Sequence, residues 1–286
     1  MKELKPILKY AGGKYKEIDK FSKYFPTSFD TYYEPFIGGG AVFFSLSPKK
    51  AVIGDVNHPL IHFYRELKEN FNEVVTETNE IADKFEENQK SFNNLKDYHQ
   101  EKRTHNPNED LYYDLRDQFN GLKERRYSLA SLYYFINKTA FSGMIRYNKE
   151  GHFNVPFGHY KHFSNKSITF QHHLLLTHTQ IIQCDYKASF KMAGENDFMF
   201  LDPPYDCVFT DYGNMKTVGD FGEEQHRQLA EDFKKLRCKA LLIISDTPLI
   251  QELYQGYIKE SYDKNYAVNI RNRFKASAKH LIITNY

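Results

Sequence analysis

The chain has 286 residues and 33.8 kDa, with 41% hydrophobic and 16% aromatic residues, enough for one large domain or one domain carrying a sizeable insertion. No apolar run has the length of a membrane span, no apolar signal segment follows the charged start, and the cysteines Cys184, Cys207 and Cys238 stand apart, so a reduced cytoplasmic setting is expected. A net charge of +2 does not by itself mark a nucleic-acid binder, and no His or Cys/His pattern joined to a carboxylate in a zinc-binding register calls for a metal.

The first informative stretch is Lys9-Tyr10-Ala11-Gly12-Gly13-Lys14-Tyr15. It lacks the first glycine of a phosphate-binding P-loop and has Tyr15 where that motif needs Ser or Thr. Gly12-Gly13 instead suits close approach of backbone to a ligand before a helix. A short strand is expected over Thr31–Phe36, then a glycine turn, Ile37-Gly38-Gly39-Gly40, opening a helix through Phe43 and Phe44. Strand, glycine turn and helix N-terminus together make a nucleotide-type site. The next strand, Ala51–Ile53, ends at Gly54-Asp55, and an acid after the second strand of such a unit is placed to hold ribose hydroxyls.

Pro59 opens a helical stretch with Leu60, Tyr64, Leu67, Phe71, Val74 and Val75 at helical spacing. From there to about Lys166 no strand–helix alternation recurs; the segment is mainly helical, with Leu129, Leu132, Tyr133 and Ile136 on one face. It reads as an inserted subdomain over 60–166, with the core in 1–59 and 167–286. Its tail interleaves aromatic and basic residues around glycines, from Phe141-Ser142-Gly143-Met144-Ile145-Arg146 to Asn154-Val155-Pro156-Phe157-Gly158. A loop of that composition suits a nucleic-acid groove, and equally a β-hairpin with a hydrophobic rim. The charge distribution favours the first: Lys138, Arg146, Lys149, Lys161 and Lys166 face only Glu150, and the end of the chain carries Arg271, Arg273, Lys275 and Lys279 with no acid after Asp263.

Strands are expected again over Gln180–Asp185, Asp197–Tyr205, Ala240–Ser245 and His280–Tyr286, with a helix over Glu223–Leu236 and a mobile loop over Asp206–Gly222. The stretch Phe198-Met-Phe-Leu-Asp-Pro-Pro-Tyr205 organises the rest. Its prolines cannot donate to a strand ladder, so Asp202 and Tyr205 are presented at a carboxyl edge, where open α/β sheets bind ligands. An aromatic amine is a weak nucleophile because its lone pair spreads into the ring. The Asp202 carboxylate and the Pro203 carbonyl can accept both amino hydrogens and localise that pair, while the Tyr205 ring covers the base.

These motifs, in this order along nearly the whole chain, resemble the D12-class adenine-specific DNA methyltransferases, which include the Dam enzymes. The resemblance rests on Lys9–Lys14, Glu34–Ala41, Asp55, Asn154–Gly158, Asp202–Tyr205 and Ile282–Tyr286. It implies a Rossmann-like seven-stranded class I methyltransferase core with a helical recognition insertion, S-adenosylmethionine as cofactor and methylation of a flipped adenine in double-stranded DNA. By position, Tyr10, Lys14, Phe36, Gly38, Gly40, Asp55 and Asp185 would line the cofactor site; Asp202, Pro203 and Tyr205 would hold the adenine; Lys9, Phe141, Ser142, Met144, Arg146, Pro156 and Lys161 would face DNA. Tyr10 replaces a common Trp, Ser142 a usual Asn and Met144 a usual Leu. The implied recognition sequence is a short palindrome, with GATC favoured, and the implied partner beside DNA is a cognate restriction endonuclease acting on the same site. An RNA adenine or protein amide methyltransferase and a non-catalytic DNA-binding relative are the alternatives.

Overall fold

Alternate residues of the central strands are apolar on both sides, so each strand feeds two cores at once. In the computed structural model, which describes residues 3–98, 105–205, 221–264 and 278–286, seven strands form one mixed sheet. They are β1 (Tyr32–Glu34), β2 (Ala51–Asp55), β3 (Thr179–Gln183), β4 (Phe198–Leu201), β5 (Lys239–Ser245), β6 (Ile258–Lys264) and β7 (Ala278–Thr284). Their order is β3-β2-β1-β4-β5-β7-β6. The first five in that order run parallel, and β7 is antiparallel to both its neighbours. This is the expected α/β architecture with a class I methyltransferase sheet.

One face buries Tyr32, Ile53, Phe198, Phe200, Leu241, Ile243 and Ile282; the other buries Tyr33, Val52, Met199, Leu201, Leu242, Ile244 and Ile283. The first face is covered by α1 (Ile18–Phe21), α2 (Ala41–Leu46) and α3 (His58–Glu69), and its core continues into α4 (Phe71–Tyr98), α5 (Pro107–Phe119) and α6 (Leu129–Thr139). A short helix α7 (Phe170–Thr177) then leads into β3. The second face packs on α8 (Tyr186–Met192), α9 (Glu223–Lys234) and α10 (Pro248–Leu253) through Tyr186, Leu229, Phe233 and Ile250. Truncating a ring such as Phe198, which is fully buried among Phe25, Phe29 and Tyr32, should cost about 3–5 kcal/mol.

Pro59 stands in the first turn of α3 as its missing N–H requires, with the Asn57 side chain accepting from the Leu60 amide at 3.2 Å. The predicted strand to Asp185 stops at Gln183, because the Asp185 carboxylate accepts from the Lys187 amide at 2.9 Å and caps α8 instead. The strand expected up to Tyr205 ends at Leu201, before the prolines. Elements without a sequence signal are α7, α8, α10 and the edge strand β6, whose residues are mostly exposed and so carry no alternation. Of the expected loop over Asp206–Gly222 only Phe221 and Gly222 lie among the described residues, and Cys207, Arg271, Arg273 and Lys275 lie outside them. Among the described residues no helix is long and apolar enough to cross a membrane.

Candidate active site

The strand order reverses between β1 and β4: β2 follows β1 on one side and β5 follows β4 on the other. A crevice opens at the carboxyl ends of such a pair, and ligands bind there. Glu34 ends β1 on one side and Asp202 follows β4 on the other.

Lys14 reaches this crevice, bonding Asp202 and lying close enough for its charge to act on Glu34. Its ammonium donates to Asp202 Oδ1 at 2.6 Å, to the Tyr205 hydroxyl and to the Gly12 carbonyl at 3.0 Å, and lies 4.8 Å from the centre of the Tyr205 ring. Lys14 is only 1% exposed, whereas the Asp202 side chain keeps 21% of its surface open. Pro203 is buried, and the Tyr205 hydroxyl also reaches Asp202 Oδ1 at 3.3 Å. Asp202, Pro203 and Tyr205 therefore form one cluster, and Lys14, grouped by sequence with the cofactor residues, belongs to it geometrically.

Glu34 is a buried acid that the motif reading left without a role. Burial pushes its carboxyl up to about 8, the hydrogen bond from the Tyr32 hydroxyl at 2.5 Å opposes this, and the Asp202 charge adds to the rise. It is thus protonated at neutral pH and adds no negative charge to the crevice. Its sequence signals were its place at the head of the Glu34–Ala41 motif and at the end of a strand before Pro35-Phe36.

The second group of predicted residues surrounds the glycine turn after β1. Gly38 has φ +45°, and a Cβ there would sit 3.1 Å from the Tyr10 ring, so the turn and Tyr10 are packed face to face. Asp55 ends β2 beside them; its Oδ2 accepts from the Gly38 amide at 3.2 Å and its Oδ1 from the Asn57 amide at 2.9 Å. Burial raises this carboxyl to about 6, with the backbone donors pulling it back. The hydroxyl of Tyr64 on α3 donates to the Gly38 carbonyl at 3.0 Å and fixes the turn from below. Phe36 is half-buried, stacked on Tyr186 at 5.7 Å, with Phe221 edge-on at 6.0 Å. Asp185 is exposed at the end of β3, next to Cys184, whose amide donates to the Asp55 carbonyl at 3.3 Å. Tyr10, Phe36, Gly38, Gly40, Asp55 and Asp185 are thus brought to neighbouring strand ends.

The third group lies on a ribbon after α6. Backbone pairing of Phe141 with Pro156 at 2.9 Å and of Asn154 with Arg146 at 3.0 Å makes residues 140–158 an antiparallel excursion, the hairpin half of the sequence reading. Phe153, Val155 and Phe157 point into the core, while Ser142, Arg146, Pro156 and the 44%-exposed Phe141 point out. Arg146 is held by Asn154 through Nε to Oδ1 at 2.7 Å. Met144 is half-buried against the core, and Lys161 is exposed beyond the ribbon. Lys9 joins this group: its stem lies where a Cβ on Gly143 (φ +64°) would approach within 3.0 Å, and its ammonium sits 3.7 Å over the Tyr160 ring and donates to the Lys138 carbonyl at 2.7 Å. Asn137 of α6 clamps Lys9 on both sides, accepting from its amide at 2.9 Å and donating to its carbonyl at 2.8 Å. Lys138, beside it, is pushed down to about 8 by burial and by the Lys9 charge. Asn137 and Tyr160 were missed; a lone amide on an apolar helix face was the available signal.

Comparison with known proteins assigns the sequence to a family. The family model of D12 class N6 adenine-specific DNA methyltransferases matches residues 10–270. The chain belongs to that family. It is 34% identical, over 99% of its own length and 100% of the relative, to a type II methyltransferase, M.CviBI, of Paramecium bursaria Chlorella virus NC1A. It is 32% identical to a DNA adenine methylase of Vibrio cholerae, covering 90% of this chain and 87% of that one, and 28% identical to the DNA adenine methylase of Haemophilus influenzae, covering 88% and 83%. As a D12-class enzyme it methylates adenine in DNA, which sets aside the RNA, protein-amide and non-catalytic alternatives.

Proposed function

We propose that this D12-class enzyme moves the methyl group of S-adenosylmethionine to the exocyclic nitrogen of an adenine turned out of the duplex, within a short palindrome for which GATC is favoured. The observation that carries the reading is the Asp202–Lys14–Tyr205 cluster at the crevice between β1 and β4. The residues around the glycine turn fit the donor. Asp55 accepts from backbone N–H groups, those of Gly38 and Asn57 among them, and keeps lone pairs for ribose hydroxyls; Phe36 and Tyr10 offer flat apolar faces, and Asp185 is exposed for the donor's adenine amine. When bound, S-adenosylmethionine supplies a methyl group on a sulfonium, whose thioether leaves neutral.

The protein's part is positioning and polarisation. The adenine must leave the stack, since its amino group is engaged in pairing within the duplex. Asp202 and the Pro203 carbonyl then accept the two amino hydrogens, turning the nitrogen lone pair out of the ring and toward the incoming carbon. Tyr205 offers its ring as the base's platform. Methylation would leave one proton too many on the nitrogen, and that proton would depart along its hydrogen bond to Asp202, whose side chain is partly open to solvent. Lys14 holds Asp202 in one orientation, and neutral Glu34 keeps a second negative charge away from it.

The unit over 60–166, with the outward residues of the ribbon, is assigned to DNA. Arg146 suits a guanine edge, Met144 and Pro156 a thymine methyl, Lys9 a second guanine, and Lys161 a phosphate. A type II name on the viral relative supports a restriction endonuclease that shares the site, and the isolated cysteines support a cytoplasmic setting. The experiment is methylome sequencing of a host without adenine methylation that expresses the chain: N6-methyladenine confined to one palindrome is expected, and methylation at unrelated sequences would overturn the recognition reading.

A further inference from the structure

The acceptor cluster is braced from behind by a second group of charged and aromatic side chains outside the sequence motifs. Glu17 follows the helical turn Lys14–Lys16, and its amide donates to the Lys14 carbonyl at 2.7 Å. Its buried carboxylate gathers three donors from the β6 and β7 strands. Tyr262 donates to Oε2 at 2.9 Å, His280 Nδ1 lies 2.9 Å from the same oxygen, and the Lys264 ammonium reaches Oε1. Burial alone would raise this carboxyl; the hydrogen bonds from His280 and Lys264, helped by the Lys14 charge, bring it instead to about 2. A carboxylate can only accept, so His280 carries its proton on Nδ1 and its ring orientation is set.

His280 is fully buried on β7, and its imidazole meets the Tyr205 ring at 5.1 Å between centroids and 66° between planes. The Tyr262 ring packs on the same imidazole at 5.5 Å and 74°. The imidazole therefore packs against two tyrosine rings and is pinned by an ionised acid. That acid is covalently continuous, over three residues, with Lys14.

We propose that Glu17 and His280 are positioning residues for methyl transfer: Glu17 aims the His280 ring, and the ring edge sets the plane of Tyr205 before the adenine arrives. The inference rests on Tyr205 being the platform for the target base. A stacking platform has to be oriented to within a fraction of an ångström relative to the donor methyl, and displacements of about 1 Å cost up to about 100-fold in rate. Tyr205 lies beyond the end of β4 at Leu201, so its plane depends on side-chain neighbours rather than on a strand ladder.

The test separates the ring from the hydrogen bond. His280→Ala should lower kcat by about 10–100-fold while KM for S-adenosylmethionine and the affinity for DNA stay within about threefold. The emission of 2-aminopurine at the target position, which reports stacking of the extruded base, should change with it. His280→Phe restores an aromatic edge against Tyr205 without a donor and should recover most of kcat; His280→Asn restores a donor near Nδ1 without the ring and should not. Recovery by Asn rather than by Phe, or wild-type kcat and 2-aminopurine emission in His280→Ala, would overturn the proposal in favour of a strand clamp. Asp202→Ala run alongside keeps the two readings apart: if it also turns over normally, the acceptor assignment has failed; if it is dead while His280→Ala is normal, only the positioning role has. Thermal melting of each variant confirms that the comparison is made between folded proteins.

Discussion

Replacing Asp202 by alanine should do two things that a single activity assay would confuse. It removes the acceptor that localises the adenine lone pair, and it strands the Lys14 ammonium, 1% exposed, with only the Gly12 carbonyl and the Tyr205 hydroxyl. Breaking a buried pair from one side costs about 3–5 kcal/mol. The lower end applies here because Asp202 is about one-fifth open to solvent and Lys14 keeps two acceptors. For a chain of this size about 3 kcal/mol lowers Tm by about 6–12 °C. The second substitution, Lys14→Met, removes the stranded charge, so the double variant should regain most of the lost Tm but none of the lost turnover. Differential scanning calorimetry gives the stability cycle, and transfer of a tritiated methyl to duplex DNA gives the chemistry. Calorimetric binding of S-adenosylmethionine to Asp202→Ala should stay within about 1.4 kcal/mol of wild type, since Asp202 is assigned to the acceptor. Wild-type turnover in Asp202→Ala, or a double variant no more stable than the single one, would refute the assignment of Asp202 or of the ion pair.

Asp55→Ala should weaken S-adenosylmethionine by about 1.5–3 kcal/mol with DNA affinity unchanged. The wild-type carboxyl sits at about 6, so donor affinity should rise as pH increases through 6, a dependence that titration calorimetry should find absent in the variant. Glu34 is raised from 4.5 to about 8, so its contribution is full below pH 4.5 and is lost as pH rises toward 8. Glu34→Gln should flatten urea-measured stability across that window and leave activity at pH 7 nearly intact; an unchanged slope would mean the acid is ionised in the native state. Arg146→Ala should cost about 1–3 kcal/mol and relax preference at one guanine, read by methylome sequencing. Lys161→Ala should weaken all sequences alike and reduce the salt slope of DNA binding by about 1, and sequence-selective loss would count against a phosphate contact.

The parts of this enzyme legible in its sequence are those whose physics is local. Pro203 and Pro204 end a strand whatever surrounds them, and the glycines after β1 turn the chain into α2 by their own backbone freedom. The elements that escaped are those defined by partners. β6 shows no alternation because both its sides are largely exposed, and α8 begins where Asp185 happens to cap it, a role that competes with its reading as a strand end. The same division holds at the site. Asp202 and Tyr205 announce themselves next to prolines, whereas Glu17 and His280 are far apart in sequence and meet only because β7 lies beside the turn that carries Lys14. Lys14 could be found as a residue, but not its partners: nothing in a glycine-rich turn says which strand end an ammonium at the tip of a long flexible stem will reach.

The placement of the helices α3 to α6 has a consequence for how the protein is made. They occupy the connection between β2 and β3, which pair in parallel register from Ala51 opposite Thr179 to Asp55 opposite Gln183. A parallel pair needs some crossover, and a dozen residues would suffice; here the whole stretch from 56 to 178 serves. The edge of the sheet therefore cannot zip until that long excursion has collapsed enough to bring its ends together, and closing a loop of this length before any reward is a slow step. On a ribosome, β1 and β2 emerge early and wait, with the apolar flank of β2 uncovered, for a partner more than a hundred residues downstream. Refolding experiments should find burial of Ile53 and Ile181 to be a late event, following helix formation rather than leading it.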